Sequence, residues 1–432
     1  MKKEITLLAI ICLLFSAVLP IAGYNFLKNE FHTKLQVDSE TITRCDVFSL
    51  KVYEKKEVML INASDYPGSN DTERLQAALN AVPPEGAIVL VSGLWTACGL
   101  VAKSNTTILG ENGTIQRPDD TTSPFVAFEN KSEFAIVNLT FDGRGISDNH
   151  GVEIINGKRF AIENNTFLNI KRNAVKACTT PEGVSENFTI NNNTFVNCDN
   201  APILIFGSPS MRKICCFMIC NNSVTNGTVN GKIAVAFAAD GQIFNNTVID
   251  SQFGIATRCV TNITIKGNMV KNARDYGIYL GTQIGDSGTD HIQIECNEIA
   301  DGTIGIARYY GSYPIKNVTI KNNRFINNSL FDVVADFPAV YINNTITSAD
   351  KLVIRNTETV FIGTRTMTND LILPGDINSD LKIDIRDVAF VAIAFGRFKG
   401  SEGWDSRADI IQDDVIDIKD ITYVSRNYGM II

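Results

Sequence analysis

The sequence predicts a mostly-β chain, in which a right-handed parallel β-helix with an N-terminal capping helix is followed by a small α-helical module. Three observations predict it. An Asn-containing turn recurs along the middle of the chain, and short stretches of alternating polarity lie between its copies. Near the C-terminus, two similar acidic loops each precede an apolar stretch that ends at a Gly. No helical pattern of useful length occurs between Pro84 and Pro374, which favours strands there.

The repeated turn contains an Asn followed closely by Phe, Val or Ile. Its copies lie at Asn138, Asn165, Asn193, Asn222, Asn246, Asn268, Asn297, Asn323 and Asn344. Successive copies are separated by 21 to 29 residues, a repeat length typical of solenoids. Asn tolerates left-handed backbone geometry and hydrogen-bonds its neighbours in turns. Stacked Asn side chains are therefore expected to bond along the solenoid axis.

Short alternating stretches between the turns have the period of two that is typical of strands. Examples are the stretches that begin at Gly151, Gly254, Gly277 and Gly305. A coil of about three such strands cannot bury its inner face alone, so neighbouring coils must stack. Stacking aligns Phe, Val and Ile into ladders inside the solenoid. We expect this β-helix to span residues 61–372.

The start of this region predicts a helix. Asn70 can cap it, with Glu73 three residues later, and Pro83 and Pro84 end it. Apolar residues at helical spacing are Leu75, Ala78, Leu79 and Val82, and a strand is expected from Ala87 to Val91. With Ala63–Tyr66, these residues resemble the start of the pectate-lyase-like β-helix superfamily. The resemblance implies that the helix covers the open end of the solenoid, and that an extended polysaccharide is the partner.

The N-terminal segment has the order of a secretory signal, with Lys2 and Lys3 before an apolar run from Ile5 to Leu19. Residues 1–23 are therefore interpreted as a signal peptide or an uncleaved anchor, and only the anchor would place the chain at a membrane. Residues 24–60 form a lead-in of unknown role. The remaining chain is expected to be extracellular or at the cell surface. A net charge of −8 argues against a nucleic-acid partner.

The two C-terminal acidic loops have the donor spacing of calcium loops. Oxygen donors at loop positions 1, 3, 5, 9 and 12, with a backbone carbonyl at position 7, suit this hard cation. The first loop offers Asp376, Asn378, Asp380, the Lys382 carbonyl, Asp384 and Asp387; the second offers Asp409, Asp413, the Val415 carbonyl, Asp417 and Asp420. Position 3 of the second loop is Ile411, which has no side-chain oxygen, so this site is expected to be weaker.

Residues 373–432 resemble a type I dockerin, because no helix enters the first loop and position 12 is Asp in both loops. The resemblance implies a cohesin-type partner. It also implies that loop positions 10 and 11 contact that partner, which places Ile385, Arg386, Ile418 and Lys419 at the interface. Pairing within the same chain, or stabilisation of the C-terminus alone, remains an alternative for this module, as do acidic loops that hold no metal.

Two groups of charged and aromatic residues are candidates for catalysis. The first contains Asp148, His150 and Lys176; the second contains Arg258, Asp275, Tyr279, Asp290, His291 and Arg308. Outward residues of adjacent coils are about 4.8 Å apart, so each group could form one surface patch. Uronate lyases need a cation and a base, and glycoside hydrolases need paired carboxylates. The motifs of polygalacturonases are not evident.

Two functional hypotheses follow. One is a secreted polysaccharide lyase or glycoside hydrolase attached to a scaffold or cell surface through the C-terminal module, with calcium in its loops alone or in the β-helix as well. The other is a non-catalytic adhesin or spacer whose aromatic residues stack on sugars. For the patches themselves, the alternative is a plain ion pair between Glu153 and Lys176 in adjacent coils, and ordinary solvated loops.

Overall fold

The computed structural model describes residues 59–119, 123–146, 149–208, 212–227, 231–282, 288–309, 311, 313–368, 372–378, 380 and 382–430. The expected signal or anchor, most of the lead-in and Asp148 lie outside these residues. None of the helices in the described ranges is long and apolar enough to cross a membrane.

Strands make up most of the described chain. In chain order they are β1 (Met59–Asn62), β2 (Ala87–Thr96), β3 (Leu100–Val101), β4 (Thr106–Gln116), β5 (Val126–Glu129), β6 (Ser132–Val137), β7 (Thr140–Asp142), β8 (Val152–Ile155), β9 (Lys158–Glu163), β10 (Thr166–Leu168), β11 (Val175–Cys178), β12 (Glu186–Asn191), β13 (Thr194–Val196), β14 (Ile203–Phe206), β15 (Ile214–Cys220), β16 (Ser223–Thr225), β17 (Ile233–Ala236), β18 (Ala238–Phe244), β19 (Thr247–Ile249), β20 (Phe253–Arg258), β21 (Thr261–Lys266), β22 (Met269–Lys271), β23 (Tyr276–Gly281), β24 (Thr289–Glu295), β25 (Glu298–Ala300), β26 (Ile304–Arg308), β27 (Ile315–Lys321), β28 (Arg324–Ile326), β29 (Phe331–Ala335), β30 (Ala339–Ile342), β31 (Thr345–Ile346), β32 (Leu352–Ile354), β33 (Val360–Ile362) and β34 (Arg365–Thr366). The α-helices are α1 (Asp71–Asn80), α2 (Ile385–Ala394) and α3 (Ile418–Arg426).

These strands form three parallel ladders that wind around one core. Sheet 1 contains β3, β5, β8, β11, β14, β17, β20, β23, β26, β29 and β32. Sheet 2 contains β1, β2, β4, β6, β9, β12, β15, β18, β21, β24, β27, β30 and β33; sheet 3 contains β7, β10, β13, β16, β19, β22, β25, β28, β31 and β34. The long β4 pairs with both β6 and β7 and so belongs to both ladders. The predicted parallel β-helix is confirmed.

The corner between sheets 2 and 3 is held by a stack of buried Asn side chains. They belong to Asn165, Asn193, Asn222, Asn246, Asn268, Asn297, Asn323 and Asn344, each about 1% exposed. Each Oδ1 from Asn193 onward accepts the backbone N–H of the Asn one coil earlier, at 2.8–3.0 Å. Each Nδ2 donates to a sheet 2 carbonyl of that coil, as Asn246 does to Ile219 at 2.9 Å. The expected bonding along the axis is confirmed.

Asn138, the first predicted copy, does not lie in this stack. Its backbone is left-handed (φ 60°), and its Nδ2 donates to the Gly110 carbonyl at 2.8 Å. Leu139 occupies the stack position instead, and its N–H donates to Asn165 Oδ1 at 2.9 Å. The predicted register was therefore one residue out at this copy, because most later turns contain two successive Asn residues and only the second of them, as in Asn164–Asn165, lies in the stack.

Aromatic residues stack in register inside the solenoid. The rings of Phe141, Phe167 and Phe195 follow one another at 5.1 Å between centroids. A second row on sheet 2 contains Phe134, Phe160, Phe188 and Phe217, with centroids 4.5–5.6 Å apart. These separations suit offset aromatic stacking, which adds to the gain from apolar burial. The predicted ladders are therefore present.

The predicted N-terminal cap is also present. Asn70 Oδ1 accepts the Glu73 N–H at 2.9 Å, and the Glu73 carboxylate accepts the Ser69 N–H at 2.8 Å. The apolar face of α1 is buried, namely Leu75, Ala78 and Leu79. The following strand runs to Thr96, further than predicted, because Gly93 adopts a positive φ of 76° at a bulge and the strand continues past the corner.

The C-terminal module packs against the last coils. Its residues Ile383, Val391 and Tyr423 belong to the same continuous core as Phe361 of β33. Gln412 Nε2 donates to the Leu352 carbonyl at 3.2 Å, and Arg426 pairs with Glu358 at 3.5 Å. Helices α2 and α3 each begin about three residues earlier than the apolar stretches suggested, because Asp384 and Asp417 cap them. The module thus covers the C-terminal end of the solenoid.

Replacement of Asn246 by Ala is expected to lower the free energy of unfolding by about 2–4 kcal/mol, since it leaves the buried Asn222 N–H and the Ile219 carbonyl without partners. Urea unfolding followed by circular dichroism measures this. The neighbouring Asn245 is exposed and left-handed (φ 54°), so Asn245→Gly is the control and should change stability by less than about 0.5 kcal/mol. Equal effects of the two variants would contradict a stabilising role for the stack.

Candidate functional site

Four aromatic rings meet on the outer face of sheet 1. They come from three successive coils and are called here the aromatic cluster, which consists of Phe253, Tyr276, Tyr279 and Tyr309. Their ring centroids are 4.9–6.2 Å apart. Phe253 and Tyr279 are nearly buried and form the base, whereas Tyr309 is 44% exposed. Because strands β20, β23 and β26 are in register, the rings pack into one row along the solenoid axis, and Tyr309 is its most exposed member.

Cationic side chains border this cluster on one side. Lys232 Nζ lies 4.6 Å from the centroid of the Phe253 ring. Burial, together with the nearby positive charge of Arg258, lowers the pKa of Lys232 to about 8. Arg258 itself lies over the Phe237 ring at 5.3 Å and the Phe206 ring at 5.8 Å. A cation held against an aromatic ring in this way is stabilised by the negative face of the ring.

Arg308 and Asp275 lie at opposite ends of the strands that carry the cluster. The Arg308 N–H donates to Asp336 Oδ1 at 3.0 Å, and its guanidinium donates to the carbonyl oxygens of Gly311 and Tyr313. Burial raises the pKa of Asp336. At the other end, Asp275 Oδ2 accepts from Gln252 Nε2 at 2.7 Å. Both predicted residues therefore hold neighbouring segments in place beside the cluster.

The second predicted patch is divided between two sheets. Four of its residues lie on or beside sheet 1, as expected for members of one surface patch, namely Arg258, Asp275, Tyr279 and Arg308. Asp290 and His291 instead begin β24 in sheet 2. There His291 Nδ1 is 2.9 Å from Asp290 Oδ1, which also accepts from Asn317 Nδ2 at 2.7 Å.

The first predicted patch contains an ion pair. Lys176 Nζ is 2.7 Å from Glu153 Oε1, across the parallel pair β8 and β11. His150 is 7% exposed, and its Nε2 lies 3.9 Å from the same Glu153 oxygen. The His150 carbonyl accepts from the buried Arg117 at 2.9 Å. This geometry matches the alternative given in the sequence analysis, namely an ion pair between Glu153 and Lys176 in adjacent coils.

A groove that the sequence analysis did not single out runs along the corner between sheets 3 and 1. Its volume is about 940 Å³, and it is called here the corner groove. It is lined by Asn197, Asn226, Asp250, Asn272, Ala273, Arg274, Asp301, Gly302, Thr303, Asn327 and Ser329. Six of these residues are exposed Asn or Asp in the left-handed conformation. The missed signal was their spacing, since each follows a stack Asn by four residues.

The solenoid can be compared with known proteins at this point. Residues 137–358, just over half of the chain, match the family model described as NosD, periplasmic copper-binding protein. The chain belongs to the NosD family. Both the aromatic cluster and the corner groove lie within the residues that match NosD, whereas the C-terminal module lies outside them. None of the curated protein sequences matches this chain.

Two solved structures share the right-handed β-helix of this NosD-family chain. PfbA, a surface adhesin of Streptococcus pneumoniae, is similar with a TM-score of 0.55 and 16% identity, over 71% of this chain and 90% of the adhesin. A hyperthermoactive exopolygalacturonase from Thermotoga maritima is similar with a TM-score of 0.50 and 13% identity, over 72% of this chain and 94% of that enzyme. Identities this low establish the fold alone.

The two acidic loops of the NosD-family chain have matching hydrogen bonds. The position-12 carboxylate of each is fully buried, and it accepts the N–H of position 9 and of position 2 or 3. Asp387 does so at 2.8–3.3 Å and Asp420 at 2.8–3.0 Å. Position 1 accepts the N–H of position 5 in both loops: the Asp380 N–H donates to Asp376 Oδ1, and the Asp413 N–H donates to Asp409 Oδ1. Asn378 Oδ1 accepts the Asp380 N–H as well.

Two features of these loops suit a cation. Asp380 Oδ1 is buried and has no hydrogen-bond partner. In the second loop, burial raises the pKa of Asp409 and of Asp420, and the negative charge of Asp413 raises both further. In each loop the cationic side chain at position 11 forms an ion pair with the carboxylate at position 5. These pairs are Arg386 with Asp380 and Lys419 with Asp413. Within the described ranges, no three His, Cys, Asp or Glu side chains are grouped as a metal site.

The predicted partner-binding residues are exposed. Ile385 is 64% exposed and Ile418 is 62% exposed, and each is the first residue of its helix. The module therefore presents two equivalent apolar residues, each next to a cation, at the start of α2 and α3.

The pKa of Lys232 near 8 predicts a distinct pH dependence. This value is below the unfolded value of about 10.4, so the folded state disfavours the charged form. The penalty is complete below pH 8 and is relieved as the pH rises towards 10.4. Lys232→Met should therefore be more stable than the wild type at pH 7, and the difference should shrink above pH 8. Denaturant unfolding at several pH values measures this, with the exposed Lys266→Met as control; a destabilised Lys232→Met at pH 7 would contradict it.

Proposed function

We propose that this NosD-family chain is an extracytoplasmic protein that binds an extended glycan along the outer face of sheet 1. The observation that carries the proposal is the aromatic cluster, with its four rings in contact on three successive coils. Pyranose rings offer C–H faces that pack against aromatic rings, and tyrosine hydroxyls can bond the sugar hydroxyls. The exposed Tyr309 is the ring most accessible to a sugar.

Binding without cleavage is the form of this function that the contacts favour. Two carboxyl groups must flank the bond in a glycoside hydrolase, and a free base is needed in a lyase. Beside the cluster, Asp275 is bonded to Gln252, and Asp336 to the Arg308 backbone. Lys176 is paired with Glu153. A lyase or hydrolase remains the alternative, since an adhesin and a polygalacturonase share the fold.

The location outside the cytoplasm is proposed on two grounds. The family model is described as periplasmic, and the structurally similar PfbA is a surface adhesin. The charged and apolar start of the sequence, Lys2 to Leu19, is consistent with export.

Copper does not fit the described residues. The family description names this metal, and copper sites are built from His, Cys, Met and carboxylate ligands. In the part of the chain that the structure describes, three such His, Cys, Asp or Glu side chains do not converge anywhere. His150, in the segment before β8, and His291, in β24, each lie beside a single carboxylate. No copper site within the described residues is therefore part of the proposed function.

Tyr309→Ala should weaken glycan binding by about 1 kcal/mol, roughly fivefold in Kd, because it removes the exposed ring from the cluster. Calorimetric titration of residues 24–432 with a panel of neutral and acidic polysaccharides measures this. Tyr428→Ala is the matched control, since Tyr428 is a similarly exposed tyrosine in the C-terminal module.

The same panel is assayed for new reducing or unsaturated ends. Binding without release of ends is the expected result. Release that is lost on Lys176→Ala or His291→Ala would establish the enzyme instead. No binding and no release on any glycan would contradict the proposed function.

A second function is proposed for the C-terminal module, namely calcium-dependent docking to a cohesin-type partner. Each loop has one feature that supports a bound cation. In the first loop, Asp380 Oδ1 is buried without a hydrogen-bond partner. In the second loop, the pKa values of Asp409 and Asp420 are raised. The first loop would hold calcium through Asp376, Asn378, Asp380, the Lys382 carbonyl, Asp384 and Asp387. The second would use Asp409, Asp413, the Val415 carbonyl, Asp417 and Asp420. A bound ion would supply the positive charge that Arg386 and Lys419 now supply to position 5.

Asp380→Asn should remove the tighter calcium site and Asp413→Asn the weaker one, because each loses a charged position-5 ligand. Calorimetric titration with calcium measures both, and Asp405→Asn is the control, because Asp405 lies between the loops and its carboxylate pairs with Arg407. For the partner, Arg386→Ala combined with Lys419→Ala should abolish capture by a cohesin while calcium binding persists. Each single variant should retain capture, because the module can bind in either of two equivalent orientations. Calcium-independent capture would contradict this function.

A further inference from the structure

We propose that the corner groove is a second binding surface for the same glycan, and that it selects uncharged sugars by hydrogen bonds to their hydroxyl groups, with one sugar residue per coil. This inference rests on the proposed glycan binding and adds to it the position and the chemical class of the ligand.

The groove contains a regular row of polar side chains. The row is formed by Asn197, Asn226, Asp250, Asn272, Asp301 and Asn327. Each has a φ between 53° and 59° and an exposed side chain. The left-handed backbone places an equivalent side chain at the same corner of every coil. Adjacent members can bond one another, as Asn272 Nδ2 does to Asp250 Oδ1 at 2.8 Å.

The spacing of this row suits a polysaccharide. Neighbouring coils are about 4.8 Å apart, which is close to the length of one pyranose residue in an extended chain. Carboxamide groups both donate and accept hydrogen bonds, and carboxylates accept two. Such planar groups can bind pairs of adjacent sugar hydroxyls. A chain parallel to the solenoid axis would therefore meet an equivalent pair of polar atoms at each successive ring.

The charges in the groove favour a neutral ligand. Asp250 and Asp301 contribute two carboxylates, and Arg274 contributes one cation. The Arg274 guanidinium donates to the Gly227 carbonyl at 3.3 Å, and the Arg274 carbonyl accepts from Thr303 Oγ1 at 2.5 Å. Uronate or phosphate groups would meet the repulsion of the two carboxylates. A nucleic-acid or strongly acidic polysaccharide chain is therefore disfavoured at this surface.

The groove adjoins the aromatic cluster. Arg274 lies two residues before Tyr276 of the cluster, and Thr303 lies immediately before Ile304, which pairs with Tyr276. The chain therefore passes directly from the groove to the aromatic face in two successive coils. A glycan on the rings of sheet 1 has this row of amides and carboxylates along one edge. Rings bind its apolar faces, and the groove binds its hydroxyls.

The test uses Asn272→Gly combined with Asp301→Gly in residues 24–432. Glycine adopts the left-handed conformation without strain, so these changes remove the side chains and leave the backbone in place. Asn245→Gly combined with Asn322→Gly is the matched control, because these Asn residues are also exposed and left-handed but lie at the corner between sheets 2 and 3. Circular dichroism melting verifies the fold of each variant.

The probes are neutral oligomers of glucose, mannose and xylose and acidic oligomers of galacturonate, each from dimer to octamer, titrated by calorimetry. For the wild type, affinity for a neutral series should rise with each added sugar. The groove variant should lose that rise and bind the octamer about tenfold more weakly, since at least two hydrogen bonds are removed. The control variant should bind like the wild type.

Three results would overturn the inference. If the groove variant binds like the control while Tyr309→Ala weakens binding, the proposed function stands without the groove. Galacturonate oligomers that bind the wild type more tightly than neutral ones would refute the ligand class. If the wild type binds none of the oligomers or polysaccharides, the proposed function fails and this inference fails with it.

Discussion

The buried stack of Asn side chains is the constraint on which the rest of the molecule depends. An amide buried without partners would be costly, so each stack Asn is tolerated only when the coils on both sides present their atoms at hydrogen-bond distance. That requirement fixes the register between coils far more strictly than apolar packing does. Once the register is fixed, every row of side chains on the outside is aligned as well. The aromatic cluster and the corner groove are both consequences of this alignment.

Left-handed Asn and Asp residues serve two purposes in this fold. At the corner between sheets 2 and 3, a left-handed residue such as Asn164 turns the chain so that Asn165 can point into the core. At the corner between sheets 3 and 1, the left-handed residue itself points outward. Glycine would satisfy the backbone at both corners but would offer no side chain. The use of Asn and Asp thus makes a structural corner into a polar surface, which is why the groove exists.

The sequence predicted the solenoid well because its signals are local and repeated. The stack turns, the capping of α1 by Asn70 and the alternating strands all depend on neighbouring residues. The candidate site was harder to predict because it depends on which corner each residue precedes. Asp290 and His291 were grouped with Tyr279 by their nearness in sequence, but the chain turns from sheet 1 to sheet 2 between them. Phe253 and Lys232 were missed, since an apolar residue in a strand and a lone Lys carry no distinguishing pattern.

The position of the C-terminal module connects the two proposed functions physically. A solenoid has an open end whose core and strand edge would otherwise face water. At the N-terminal end α1 covers it, and at the C-terminal end the buried residues Val391 and Tyr423 do so. The same module exposes Ile385 and Ile418 at the starts of α2 and α3. The proposed docking would therefore use residues other than those that cap the solenoid, so one module can perform both. Because the loops hold the starts of α2 and α3, a cation that orders them would also stabilise the last coils of the β-helix.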